Sequence, residues 1–212
     1  MVITYYGLSC FKVASGEFVL AFDPPSKKSS FKSPRFKADA VLISHNHDSH
    51  NGYDMISGKE NTAPLKVDGP GEYELQGVNI SGAPSFHDQV SGKKYGSNTI
   101  YVVEMENMKI CHLGDFGEKE LGAEALEMIS SVDILFLPIG GKTVLDPESA
   151  SAIANRLEPR IIIPMHYDKK ELSAFLKEAG VESAKSEEKL TIKNKDLPEG
   201  KTQVVVLKPS IQ

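Results

Sequence analysis

Ser44-His45-Asn46-His47-Asp48-Ser49-His50 places three histidines within six residues. Neutral imidazole offers a good lone pair to borderline divalent ions, and histidine is the commonest metal ligand. In extended backbone, residues i and i+2 share a side, so His45 and His47 are expected to reach one ion. His50 lies past a turn and is expected to face a neighbouring ion. Such a set supports metal-assisted hydrolysis. A divalent ion lowers the pKa of its water from about 15.7 toward 7 and polarises a carbonyl or phosphoryl oxygen. A polar surface loop that happens to be rich in histidine is the bland alternative.

Three further residues sit where loops leave apolar strands. They are His87 in Pro84-Ser85-Phe86-His87-Asp88, Asp115 in His112-Leu113-Gly114-Asp115, and His166 in Pro164-Met165-His166-Tyr167. One histidine after a strand is more often a hydrogen-bonded structural residue than a ligand. Three repeats of the geometry of the first cluster shift the balance, because rigid scaffolds gather sites on the loops at strand ends.

The elements that must position these residues can be read from apolar patterning. Residues 2–6, 10–14 and 17–22 read as strands, with Gly7 and Ser15-Gly16 as turns. Residues 40–43 form a short apolar run that reads as a buried strand and ends in the histidine cluster. Residues 72–75, 78–81, 99–104 and 109–113 read as further strands. The last third alternates. Helices are expected over 118–130, over 147–157 with Asp146 as N-cap and Pro147 at the first position, and from an Asp168 cap to residue 179. Buried strands are expected at 134–137 and 160–163, and closing strands near 189–193 and 202–207. The pattern suggests an α+β sandwich, two sheets packed together with helices outside. No linker divides the chain, so residues 1–212 are expected to form one domain.

Composition excludes several classes. With 40% apolar and 25% charged residues, the chain is neither disordered nor fibrous. No apolar run approaches the roughly 20 residues of a membrane span. The N-terminus shows no secretory signal, and the two cysteines, Cys10 and Cys111, form neither a disulfide framework nor a metal knuckle. The cytoplasm is the expected location. A net charge of −5 argues against a large nucleic-acid-binding face. The expected partner is a small, anionic substrate, with no nucleic acid and no membrane. Nothing in the sequence specifies an oligomeric state. Gly140-Gly141-Lys142-Thr143 fails as a phosphate loop, because Phe136 stands where the first glycine is required.

Taken together, the chain resembles the metallo-β-lactamase superfamily. More narrowly, it is similar to the branch of small metal-dependent hydrolases that includes ascorbate-6-phosphate lactonase-like proteins. The matching pieces run in order over nearly the whole chain: Gly7-Leu8-Ser9-Cys10-Phe11, Phe22-Asp23-Pro24, the histidine cluster, Ser85-Phe86-His87, His112-Leu113-Gly114-Asp115, Leu137-Pro138-Ile139-Gly140-Gly141 and Pro164-Met165-His166-Tyr167. The resemblance implies a four-layer αββα sandwich with metals at one edge. It implies a first metal on His45, His47 and His87, a second on His50 and His166, and Asp115 bridging them. Asp23 would support the histidine loop from behind. His112 has no ligand role; alternating with Cys111 and Leu113 on a strand, it is expected to be structural or to support the ligands, and it is left as the one ordinary titrating candidate among the histidines. Zinc is expected, one ion or two, with manganese or iron as alternatives.

The chain departs from the family motif His-x-His-x-Asp-His at one position. Ser49 stands where the motif has Asp, and Asp48 comes one residue early. A hydroxyl is a poorer ligand than a carboxylate for a divalent cation. Three outcomes stay open: a weak or empty second site, a shifted loop in which Asp48 supplies the carboxylate, or a binding or regulatory protein with an impaired metal site. In the hydrolytic readings Asp115 is the nearest anionic base, with Asp48 or Asp88 as helpers if their side chains turn inward.

Overall fold

Ala40, Val41 and Leu42 are fully buried, and the strand they form is the rigid base of the histidine loop. The structure is a computed structural model and describes residues 1–60, 62–182, 184 and 186–210. The strands in chain order are β1 (Val2–Gly7), β2 (Cys10–Ser15), β3 (Phe18–Phe22), β4 (Ala40–Leu42), β5 (Leu65–Val67), β6 (Gly71–Leu75), β7 (Val78–Phe86), β8 (Ser97–Met105), β9 (Met108–His112), β10 (Ile134–Pro138), β11 (Ile161–Met165), β12 (Ser186–Glu187), β13 (Leu190–Thr191), β14 (Gln203–Val204) and β15 (Val206–Leu207). The helices are α1 (Ala123–Ile129), α2 (Pro147–Leu157) and α3 (Lys169–Glu178).

Two sheets face each other. One has the order β13-β1-β2-β3-β4-β5, the other β14-β11-β10-β9-β8-β7-β6. Strands β1 to β3 pair antiparallel through short turns, and β4 and β5 join in parallel. In the second sheet, β6 to β9 are antiparallel, whereas β9, β10, β11 and β14 are parallel. All five residues of β10 and of β11 are buried, as expected for parallel strands covered on both faces.

Period-2 alternation sorts the side chains between layers. Ile3, Phe11, Leu20 and Phe22 meet Ile80, Val103, Ile110, Phe136 and Ile163 in the core between the sheets. Phe11 stacks on Phe136 at 4.2 Å between ring centroids, a contact adding about 0.5–1.5 kcal/mol beyond area burial. On the other face of the second sheet, Val102, Cys111, Leu135 and Ile162 meet α1, α2 and α3. The expected sandwich is therefore present. The outer face of the first sheet is covered differently, by Phe36, Ala38, Tyr53 and Ile56 from loops and a single 3-10 turn. Among the described residues no helix is long and apolar enough to cross a membrane.

One helix expectation shifts at its start. Helix α1 begins at Ala123, not near 118, because Gly122 caps it and Glu118 is engaged elsewhere: its Oε2 accepts the Phe86 N–H at 2.9 Å. Helix α2 starts as expected, with Asp146 Oδ1 accepting from Ser149 N at 2.9 Å. Asp168 occupies the N-cap position of α3 without a side-chain cap bond.

Candidate metal centre

The loop after β4 is tied down from both sheets. Asp23, at the end of β3, accepts from Ser44 N at 2.7 Å and from Ser44 Oγ at 2.6 Å. From the second sheet, Thr99 N donates to Ser44 O at 2.7 Å, and the buried Tyr101 hydroxyl donates to Ile43 O at 2.8 Å. The segment is not extended. His47 N bonds to His45 O, and His50 N to His47 O, which folds it into a compact turn. His45 and His50 come side by side, with ring centroids 4.5 Å apart, and both are buried. His47 is exposed at the rim, 6.2 Å from the His45 ring and 6.0 Å from the His50 ring.

The other groups arrive from the ends of the second sheet. His87 directly follows β7, and its N–H donates to Gly96 O at 3.1 Å. Asp115 follows β9, and its N–H donates to Asn98 Oδ1 at 3.0 Å. The turn that carries it requires Gly114. Its φ is +59°, and a Cβ there would sit 2.4 Å from Asn98 Oδ1. His166 follows β11 at φ +55°, a left-handed conformation, held by its N–H donating to Leu8 O at 2.9 Å.

Four imidazole nitrogens converge on one carboxylate oxygen. Nε2 of His45, His50, His87 and His166 lies 3.7, 3.4, 3.3 and 3.3 Å from Asp115 Oδ2. The nearest donor atoms of His45, His50 and Asp115 all lie within 4.8 Å of one another. His45 Nε2, His87 Nε2 and Asp115 Oδ1 are buried without a hydrogen-bond partner. Orphaned polar atoms in the interior are costly unless something else satisfies them. The separations also fit an ion. Donor atoms at about 2.0–2.1 Å from a tetrahedral zinc lie about 3.3–3.4 Å from each other. The residues present therefore fit a divalent metal.

Electrostatics favour the metal-binding protonation states of His45, His50, His87 and Asp115, but not that of His166. Burial holds His45 at about 4, and His50 well below its ordinary value, so both imidazoles are neutral at pH 7. Burial lowers His87 as well. Burial opposes ionisation of Asp115, but the surrounding histidines hold it well below the usual carboxylate range. For His166 burial is outweighed by Asp115, which lifts it above its ordinary value.

Two of the buried rings are oriented from behind. His45 Nδ1 lies 3.0 Å from Ser44 Oγ, and His50 Nδ1 lies 2.6 Å from the buried Ser9 Oγ. These contacts leave Nε2 of each ring for the centre. Ser49 Oγ lies 2.6 Å from His47 Nδ1. Ser9 and Asn98 are the residues that sequence reasoning missed. Ser9 lies inside a quoted motif, but nothing in its surroundings points to His50.

Two expected helpers do not join the cluster. Asp48 is exposed, and its Oδ1 accepts from Ser26 Oγ at 3.5 Å, away from the cluster. Asp88 spends both oxygens on four backbone N–H groups of its own loop, at residues 90, 92, 94 and 95, which hold it at about 2. His112 is also not an ordinary titrating group. Burial among Phe11, Phe22 and Phe136 lowers it to about 4.

A cleft of about 370 Å³ opens beside His45, between Asn46, Asn51, Lys66 and Asn98, and leaves room for a ligand next to the cluster.

The β-lactamase superfamily domain model matches residues 2–166. The chain is 29% identical over 192 residues to a metal-dependent hydrolase of Thermococcus onnurineus, covering 78% of this chain and 84% of that one. A metal-dependent hydrolase of Listeria monocytogenes is 28% identical over 201 residues, covering 79% and 86%. The structure is similar to that of a Thermotoga maritima protein assigned as a zinc-dependent hydrolase of the metallo-β-lactamase superfamily, with 31% identity, 97% of each chain covered and a TM-score of 0.78. These relatives are named at the level of metal-dependent hydrolase, which is coarser than the lactonase-like branch that the sequence resembles. Fold, buried donor set and relatives agree: the chain belongs to the β-lactamase superfamily and is a metal-dependent hydrolase of the metallo-β-lactamase fold.

Proposed function

We propose that this protein hydrolyses a small anionic ester, lactone or phosphodiester in the cytoplasm, at a metal held by His45, His50, His87, His166 and Asp115, with His47 closing the rim. The observation that carries this reading is the convergence of four Nε2 atoms on Asp115 Oδ2, with buried nitrogens left unpartnered. The imidazole-rich donor set favours zinc, and manganese or iron suits a mixed set of imidazole and carboxylate ligands as well. A bound divalent ion supplies an acidified water and a Lewis acid for the scissile carbonyl or phosphoryl oxygen.

The chain's own residues do the rest. Asp115 stays ionised and offers Oδ1, which has no other partner, to accept a hydrogen bond from the attacking water. Ser9 and Ser44 fix ring orientation, so donor geometry does not depend on loop order. The absence of a carboxylate at position 49 favours one tight metal site over two. Lys27, Lys28 and Lys32, exposed on the loop that Ser26 N ties to Asp48 O, suit an anionic substrate. Two unpaired buried cysteines, Cys10 and Cys111, suit a reducing compartment.

The test is metal content after purification without chelator, followed by assays on bis(4-nitrophenyl) phosphate and 4-nitrophenyl acetate. The expected result is about one equivalent of metal per chain and turnover abolished by chelation. Metal-free protein that stays inactive after zinc or manganese is added would overturn the reading. That result would favour the second one, a binding or regulatory protein with an impaired site, which Ser49 makes worth testing.

A further inference from the structure

The loop from Asp88 to Gly96 borders the cluster and does no work in the mechanism above. Its shape is built deliberately. Asp88 Oδ1 accepts from Val90 N and Gly92 N, both at 2.9 Å. Oδ2 accepts from Lys94 N at 2.9 Å and Tyr95 N at 2.8 Å. One buried carboxylate thus satisfies four amides, through charge-assisted bonds stronger than neutral ones. The turn also uses left-handed conformations at Ser91, Gly92 and Gly96. Loops of this length are ordinarily mobile, and this one is pinned.

The pinned loop displays apolar surface. Phe86, Val90 and Tyr95 are 37%, 51% and 39% exposed, and they are three of the four large apolar side chains exposed among the described residues. Their clustering within ten residues of the chain is what needs an explanation, since single exposed apolar residues are normal. The Tyr95 ring lies 5.2 Å from the His87 ring, centroid to centroid, so Tyr95 adjoins the metal centre directly. Lys94 Nζ lies 4.6 Å from the Tyr95 ring centroid, and no carboxylate pairs with it among the described residues. The one nearby carboxylate, Asp88, is already committed to backbone amides.

We infer that this loop is the substrate-recognition wall of the site. Tyr95, with Phe86 and Val90, holds a flat apolar arm of the substrate, and Lys94 holds its negative charge beside His87. The substrate class this selects is a small anion carrying an aryl or similarly flat apolar group. The assignment deepens the proposed function and rests on the cluster being the site of hydrolysis. Asp88 is a positioning residue here, acting through the loop it holds.

The test uses the full-length protein, both zinc-loaded and metal-free, and two non-hydrolysable probes, phenylphosphonate and methylphosphonate. Binding is followed by calorimetry and by NMR signals of Val90 and Tyr95. Wild-type protein is expected to prefer the phenyl probe about tenfold, the scale of one good aromatic contact. Tyr95→Ala should abolish that preference. Lys94→Gln should weaken both probes alike, about threefold. Both side chains are exposed, so neither variant puts folding at risk. A wild type without phenyl preference, or a Tyr95→Ala variant that keeps it, overturns the inference. Failure of the hydrolase reading looks different. Metal content and turnover would be absent, yet the phenyl probe would still shift Val90 and Tyr95 in the metal-free protein.

Discussion

Ser49 Oγ stands 2.6 Å from His47 Nδ1. The residue that replaces the expected Asp therefore holds an imidazole in place of an ion. With a metal bound, Nδ1–H would donate to Ser49, leaving Nε2 as the ligand atom. Ser49→Ala is expected to weaken metal binding about tenfold, the low end for loss of an orienting partner. Ser49→Asp supplies a carboxylate near His50 and is expected to raise bound metal toward two equivalents. Competition with a chromophoric chelator and metal analysis measure both. Unchanged stoichiometry in Ser49→Asp would show that a missing carboxylate is not what limits the second site.

Metal removal should cost stability. At a free concentration about one hundred times Kd, an ion binding only the folded chain adds about 2.7 kcal/mol. For a chain of this size that is a Tm rise of roughly 5–11 °C. Thermal melts in chelator and in zinc read the difference. His166→Ala and Asp115→Asn should each shrink it, because each removes a group from the convergent set.

His112 gives a pH dependence with a definite sign. Its Nε2–H donates to Ser9 O at 2.9 Å, and its Nδ1 accepts from Gly114 N at 3.1 Å. Protonating Nδ1 would turn that acceptor into a donor facing another N–H. Burial holds the folded value at about 4, below the ordinary histidine value of 6.5. Between those values the unfolded chain binds a proton that the folded chain does not, so stability falls as pH drops through that window. The loss is on the order of 3 kcal/mol. His112→Gln should be less stable at pH 7, and its gap from wild type should close by about that amount at pH 4. Denaturation at several pH values tests this, and a gap that stays constant would refute it.

Charge on the loop after β3 should set substrate capture. Lys27, Lys28 and Lys32 are exposed, and Gly52 N to Pro24 O, at 2.7 Å, helps hold this loop against the histidine turn. The double variant Lys27→Glu, Lys28→Glu should lower kcat/KM for an anionic substrate several-fold and flatten its salt dependence, leaving kcat unchanged. A proportional fall in kcat would mean that the loop acts in the chemical step instead.

Much of this architecture is visible in the sequence because local pattern decides it. Residues 40–43 read as a buried strand since nothing polar interrupts them, and Asp146-Pro147 announces a helix start that the fold uses. Asp115 and four of the histidines were legible from residue type and from position after apolar runs. What stayed hidden depends on contacts distant in sequence. Helix α1 loses its first residues because Glu118 bonds to Phe86. The loop is not the extended segment that an i, i+2 pairing of His45 and His47 presumes, because His47 N bonds to His45 O and His50 N to His47 O, making it a turn. Ser9 and Asn98 gain their roles only when β1, β8 and β9 are assembled, and no local spacing encodes that meeting.

Both sheets carry groups to the centre. His45, His47 and His50 extend from β4 in the first, and His87, Asp115 and His166 from β7, β9 and β11 in the second. A captured ion would thus be a removable rivet between layers joined otherwise by apolar contact and by a few hydrogen bonds, such as Thr99 N to Ser44 O and Tyr101 to Ile43 O. A disulfide would restrict the unfolded chain, and Cys10 and Cys111 are free thiols; an ion acts instead by binding the folded chain alone. Withdrawing the ion would loosen the two layers at this edge, while Phe11 and Phe136 keep them together further in. Metal supply would then set how firmly the sandwich is held as well as whether substrate is turned over.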